Sequence, residues 1–258
     1  MKAIDTKKLT QLLTEFIKIS FQKEKYSDAL IAVSGGVDSA VSLTLTARAL
    51  GPTHVHTVLL PYGLLNDQGT KDAKSFIESL HIPQNNIHLV DIQPMVDTVL
   101  AYDKTMDEGR KGNVMARMRM VVLFDFSKKL HALVVGTENK TEHLLGYYTR
   151  FGDEASDVEP IRDFYKFQVF DLARSLGVPA YILDKAPSAG LWLGQTDEGE
   201  FGFSYKEADE VLFLQTEKKY SRQQLLNKGY SEKFLDRLLW WIDKGAFKAR
   251  LPKVIAKD

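Results

Sequence analysis

Four short apolar runs, alternating with stretches of helical periodicity, constrain this chain more than any other feature. Asp28 to Val33 (DALIAV), His54 to Pro61 (HVHTVLLP), Asn86 to Asp91 (NIHLVD) and His131 to Gly136 (HALVVG) read as strands. Val37 to Leu50, Asp67 to Leu80, Ile92 to Asp103 and Asn113 to Lys129 read as helices, the first stopping at Gly51-Pro52. Strands and helices that alternate at this spacing fold as a parallel sheet covered on both faces. The expected class is α/β: a doubly wound, Rossmann-like parallel sheet flanked by helices. After Gly136 the pattern weakens. Gly146 to Asp163 and Asp184 to Tyr205 are rich in Gly, Asp and Ser and read as functional loops, and helices return from Lys206. No repeat or low-complexity linker interrupts the chain, so one domain over residues 1–258 is expected.

In such a sheet, ligands bind where strands end. The seam between the first strand and its helix reads SGGVDS, Ser34 to Ser39. Gly35 and Gly36 allow a sharp turn and close approach to a ligand. The amides of a helix N-terminus favour an anion, and Ser34 and Ser39 add hydroxyl donors. Asp38 would repel a bare phosphate, so its presence implies a divalent cation between the two. The ligand expected is a metal-bound polyphosphate. A Walker lysine is absent, which argues against cleavage at the terminal phosphate. Standing alone, a glycine turn with a polar helix cap would explain the same residues.

Composition narrows the partners. Lys plus Arg (34) balances Asp plus Glu (34), which weighs against a general nucleic-acid binder. With no cysteine there can be no disulfide, thiolate metal site or cysteine nucleophile. The first twenty residues read as an amphipathic helix rather than a signal peptide, and no apolar run approaches membrane-spanning length. A cytoplasmic protein without nucleic-acid or membrane partners is expected.

SGGVDSA resembles the signature of the N-type ATP pyrophosphatases, which cleave ATP between its α and β phosphates and adenylate a carboxylate or carbonyl oxygen. Further blocks follow in order: NVMARMRM from Asn113, TENKTE from Thr137, GYYTRFGD from Gly146, VEPIRD from Val158 and KAPSAGLWLGQTDE from Lys185. The series is similar to the ammonia-dependent NAD synthetases over almost the whole chain. That resemblance implies a homodimer that converts deamido-NAD, ATP and ammonia to NAD, AMP and pyrophosphate with Mg2+, and it leaves no room for a fused glutaminase domain.

The resemblance also implies roles. Ala32, Val33, Ser34, Gly35, Gly36, Val37, Asp38 and Ser39 would bind ATP together with Thr137, Lys166 and Ser188. Asp38 and Glu142 would hold magnesium. Arg117, Arg150, Asp157, Phe247 and Lys248 would contact deamido-NAD, with Arg119 the rival of Arg117 as a buried ion-pair partner. Asp153 would take a proton from ammonium. Three departures stand out: Arg150 replaces the usual lysine, Glu154-Ala155-Ser156 replaces a typical Gly-Gly-Val, and Phe247 replaces a common histidine. Phe247 could stack or simply pack. Two other readings stay open at this point: another adenylating ATP pyrophosphatase, such as a tRNA-modifying enzyme, and a non-catalytic nucleotide-binding subunit.

Overall fold

The computed structural model describes residues 4–255. Helix α1 spans Thr6–Glu24, and Asp5 caps it by accepting from the Lys8 amide at 3.0 Å. The first three residues of the expected N-terminal helix lie outside the described residues. Strand β1 (Asp28–Ala32) leads into α2 (Val37–Leu50); β2 (Val55–Leu59) into α3 (Asp67–Ser79); and β3 (Ile87–Leu89) into α4 (Gln93–Leu100) and α5 (Glu108–Leu130). Strand β4 (Ala132–Val134) precedes α6 (Lys140–Leu145), α7 (Lys166–Leu176) and α8 (Ala180–Leu183). Then come α9 (Asp197–Phe201), α10 (Tyr205–Thr216), α11 (Arg222–Asn227) and α12 (Glu232–Gly245).

The strands pair in the order β3-β2-β1-β4, all parallel. Side chains alternate across the sheet, so β1 sends Ala29 and Ile31 to one face and Leu30 to the other. The first face packs on α1, α2, α3 and α7 through residues such as Ile17, Val41, Phe76 and Leu172. The second packs on α4 and α5 through Val96, Met115 and Val122. A separate apolar cluster joins α6, α10, α11 and α12 around Phe201 and Leu238. The doubly wound α/β expectation is met.

Local chemistry moved the boundaries. Helix α5 begins five residues earlier than expected, because Asp107 accepts from the Arg110 amide at 2.7 Å and caps a turn whose two glycines hide its helical character. Strand β2 starts at Val55, because Pro52–His54 forms a 3₁₀ turn. His131 adopts a left-handed conformation that ends α5, which shortens β4 at its start. The segment expected to be loop from Asp184 to Tyr205 contains α9, capped by Thr196. Beyond β4, Val135 pairs in parallel with Val158, which fastens the 146–163 segment to the edge where β4 ends.

Candidate active site

The glycine loop is shaped by its own hydroxyls. Ser34 Oγ and Ser39 Oγ are 3.1 Å apart, Ser39 Oγ donates to the Gly36 carbonyl at 3.0 Å, and the Gly36 amide donates to Ser34 Oγ at 3.2 Å. Gly35 has φ of +81°, and a Cβ there would overlap the Gly69 carbonyl of α3. No other residue type combines that backbone with that contact. Val33 and Val37 are buried, so only their backbone can face a ligand, and Ala32 at the strand end is half-buried.

Asp38, in the first turn of α2, meets two residues distant in sequence. Lys166 Nζ lies 2.6 Å from Asp38 Oδ2 and 2.9 Å from Glu142 Oε1, with Lys166 only 2% exposed. Asn139 Nδ2 donates to Asp38 Oδ1 at 2.9 Å, while its Oδ1 caps α6 by accepting from the Glu142 amide. Lys166 opens α7, whose amides are held by the Thr141 hydroxyl and the Asp209 carboxylate. Thus α2, α6 and α7 converge with their N-termini and one buried ammonium among two carboxylates.

Burial pushes the Glu142 carboxyl above the ordinary carboxylate range, against the pull of Lys166. Burial also works against the Lys166 ammonium, but Asp38 and Glu142 outweigh it and hold Lys166 protonated beyond the usual lysine range. Asp197 is raised by burial as well and sits close by: the Tyr205 hydroxyl lies 2.8 Å from Asp197 Oδ2 and 3.3 Å from Glu142 Oε1. Among the described residues no group of three His, Cys, Asp or Glu is arranged to hold a metal ion. Two hard carboxylates beside a phosphate-type loop do suit magnesium, which commonly takes one or two carboxylates and completes its shell with water and substrate phosphates.

A second group surrounds the turn after α6. The last residue of α12, Gly245, touches Gly146 backbone to backbone, which carries the C-terminal segment under that turn. Lys248 Nζ then donates to the carbonyls of Gly146 and Tyr148 at 2.7 and 2.6 Å. Arg150 donates to the Arg250 carbonyl at 2.6 Å, and Arg117 donates to the Arg150 carbonyl at 3.3 Å. Asp153 accepts from the Thr149 amide at 2.9 Å. Asp153 keeps contact with solvent, yet desolvation by the surrounding protein raises its carboxyl, opposed first by the Thr149 hydrogen bond. Arg119 turns inward, donating to the Leu60 carbonyl at 3.1 Å, and its charge acts on Asp153. Asp157 accepts from the Val134 amide at 2.8 Å. Phe247 is 56% exposed.

The structure therefore brings Asp38, Glu142 and Lys166 into one cluster, and Arg117, Arg150, Asp153, Phe247 and Lys248 into another. Thr137 lies half-buried just past β4, and Ser188 Oγ donates to the Gln195 carbonyl at 2.8 Å inside its own segment. Lys185 was not singled out from the sequence. Its Nζ donates to the Gly35 carbonyl at 3.2 Å and pairs with Asp72 of α3 at 2.5 Å, tying the glycine loop to the segment after α8. Asn139 and Asp197 were also missed. Asn139 does carry a signal, since an Asn three residues before a Glu is a helix-start pattern.

A model of the NAD synthase family matches residues 9–252. The chain belongs to that family. Among relatives, the NH(3)-dependent NAD(+) synthetase of Fusobacterium nucleatum subsp. nucleatum is 40% identical over 254 residues, 98% of this chain and 97% of that one. Two solved structures are similar throughout. The NMN synthetase from Francisella tularensis has a TM-score of 0.86 at 35% identity, covering 98% of this chain and 99% of that one. The NH3-dependent NAD synthetase from Campylobacter jejuni has a TM-score of 0.83 at 29% identity, covering 98% and 100%. Membership in the NAD synthase family favours ammonia-dependent NAD synthesis over tRNA modification.

Proposed function

We propose that this chain is a ligase that amidates deamido-NAD with ammonia, consuming ATP and releasing AMP and pyrophosphate. The observation that carries the reading is the Asp38–Lys166–Glu142 cluster beside the glycine loop, in a chain related along nearly its whole length to NH(3)-dependent synthetases. The deamido-NAD carboxylate attacks the α-phosphorus of ATP and pyrophosphate leaves. Ammonia then attacks the adenylated carbonyl, a C–N bond forms, and AMP departs with the bonding pair. No protein nucleophile is required.

Residue roles follow from position. The Ser34–Ser39 loop and Thr137 receive the nucleotide. Asp38 and Glu142 would hold a magnesium ion, whose charge would offset that of the leaving pyrophosphate. Lys166 pairs with both carboxylates, and the third hydrogen of its ammonium is left to meet a phosphate. Asp153, which keeps contact with solvent and whose carboxyl is raised by desolvation, suits proton acceptance from ammonium. Arg117, Arg150, Asp157 and the C-terminal segment line the dinucleotide side. The reading also takes residues 1–258 as one working unit that acts as a homodimer.

A second substrate reading has its own support. The likeness to an NMN synthetase at 35% identity makes the nicotinate mononucleotide the natural competitor of the dinucleotide. Purified protein would be given ATP, magnesium and ammonium with either acid, and AMP and amide products quantified. Faster amidation of deamido-NAD supports the main reading; preference for the mononucleotide replaces it; robust turnover with glutamine alone overturns ammonia dependence.

A further inference from the structure

Beside the end of β4, the protein buries oxygens that its own donors do not satisfy. Glu138 is 5% exposed and neither carboxylate oxygen has a hydrogen-bond partner. Glu159 Oε2 and the Tyr148 hydroxyl are likewise buried without partners. Such orphans cost about 1–3 kcal/mol each, so several in one neighbourhood call for a ligand. They are one neighbourhood. Glu159 packs against the Cα of Gly136, two residues before Glu138. His143 lies 3.7 Å from Glu138 and stacks on Tyr148 with ring centroids 6.0 Å apart.

The charges say what kind of ligand. Arg162 approaches Glu138 Oε2 at 3.2 Å and is the guanidinium that matches it. Its other contact, at 3.0 Å, is His143 Nδ1, which must accept because a guanidinium cannot. His143 therefore cannot donate from that nitrogen to Glu138. Glu159 has no cation within ion-pair distance among the described residues; its donors are the Ser156 hydroxyl at 2.7 Å and the Glu138 backbone, and its Oε2 is left without one. Lys248, whose Nζ lies 5.2 Å from the Tyr148 ring centroid, donates to two carbonyls and forms no ion pair with either glutamate. The cluster thus offers acceptors and one unmatched negative charge. A small cation rich in N–H donors fits it. A divalent metal fits less well, because Arg162 already matches one of the two carboxylates and leaves a single negative charge.

We infer that Glu138, Glu159 and Tyr148 hold the ammonium ion that supplies the amide nitrogen. The place is right: Glu138 follows Thr137 on the nucleotide side, and its charge reaches Asp153 on the other. Burial, with the like charge of Glu138, pushes the Glu159 carboxyl up to about 7 even though Ser156 opposes the shift, and a bound cation relieves that cost. The inference rests on the amidation reading above.

The test is steady-state kinetics with ammonium chloride as the varied substrate, for wild type, Glu159→Gln and Tyr148→Phe. Adenylation is followed separately by exchange of labelled pyrophosphate into ATP without ammonium. Circular dichroism checks the fold. Loss of a charge-assisted hydrogen bond predicts a rise of about 10-fold or more in the ammonium KM for Glu159→Gln, with pyrophosphate exchange kept within about twofold. Tyr148→Phe, which removes one oxygen and no charge, should raise it less. Potassium, a cation of similar size that cannot react, should compete with ammonium in wild type and lose that competition in Glu159→Gln. An unchanged ammonium KM in folded variants, or equal losses in exchange and amidation, overturns the inference and makes the cluster a water-filled scaffold. Wild type that forms no amide from ammonium at all would instead remove the functional reading beneath it.

Discussion

Two groups of buried carboxylates flank the end of β4, and they are built on opposite principles. Around Lys166, Asp38 and Glu142 meet one ammonium and Asp38 also accepts from Asn139. Around Arg162, Glu138 is ion-paired at 3.2 Å, yet Glu138 and Glu159 keep buried oxygens without a hydrogen-bond donor. A locked set of charges holds ligands in a fixed geometry and reorganises little during reaction. An open set binds whatever cation arrives. The difference teaches that burial alone does not distinguish these carboxylates; the donors around each one do.

Removing the lock should have the largest effect. Lys166→Met leaves Asp38 and Glu142 facing each other without a cation. Breaking one partner out of a buried ionic cluster costs about 3–5 kcal/mol, and NAD formation should be abolished. Urea unfolding followed by circular dichroism measures the first, and coupled NAD formation the second. Since burial already raises Glu142, acidification lets it take a proton, and the stability deficit should shrink as pH falls. A deficit below about 1 kcal/mol, flat with pH, would show that these carboxylates are solvated and not charge-locked.

Asp38→Asn tests the same cluster from the other side. Lys166 keeps Glu142, so stability should change little. Turnover should fall by about 10²–10³-fold, the range for loss of one preorganised electrostatic group. Near-normal turnover at saturating magnesium would take Asp38 out of the cation site.

The two clusters were unequally legible in the sequence. Alternation of strands and helices was enough to place Ser34 to Ser39, Thr137 and Glu142 at one edge of the sheet. Asp38 could be read locally because a loop with that much glycine at a helix start has few purposes. Lys166 could be assigned only through family resemblance, because its 128-residue separation from Asp38 leaves no local trace. Lys185 and Asp197 escaped for the same reason: each acts across a long loop closure. The Glu138–Glu159 cluster was invisible for a different reason. TENKTE and VEPIRD read as ordinary solvated charge, and nothing in composition says that both acids turn inward beside Gly136. Helix starts at Asp107 and Asn139 were readable as caps and both were missed, the first because the glycines after it obscured the period.

The open cluster should reveal itself in the pH dependence of stability. Burial holds Glu159 at about 7 against an ordinary 4.5. Between those values the folded state binds more protons than the unfolded state, so this group lowers stability as pH rises through the window, and its full cost is present above it. Glu159→Gln removes that cost. The variant should gain on wild type between pH 5 and pH 7.5 by an amount on the order of 1–3 kcal/mol, read from urea midpoints. Ammonium chloride should flatten the wild-type slope more than equal sodium chloride. Parallel pH profiles for variant and wild type would show that Glu159 is already satisfied, and the contrast between the clusters would collapse.

The smallest expected effect concerns two departures from the family pattern that turn out to be neighbours. The Arg150 guanidinium lies 4.7 Å from the Phe151 ring centroid and 6.0 Å from that of Phe247. Where lysine and histidine commonly stand, this chain has a guanidinium and an aromatic ring that can attract each other. An ammonium in place of Arg150 would replace the planar guanidinium that donates to the Arg250 carbonyl at 2.6 Å, and a histidine in place of Phe247 would lose apolar ring face. Each half of the pair is therefore worth more with the other present. The measurement is a double-mutant cycle on thermal stability with Arg150→Lys, Phe247→His and both together. A partly exposed cation–π pair predicts coupling of about 0.5–1 kcal/mol, with the double variant losing less than the sum of the singles. The same cycle on the KM for deamido-NAD separates two functions. Coupling in stability alone makes the pair a clasp that fixes the C-terminal segment to the turn, whereas coupling in KM as well makes Phe247 part of the surface the dinucleotide meets. Strict additivity in both would break the pairing and leave Phe247 as a simple packing residue.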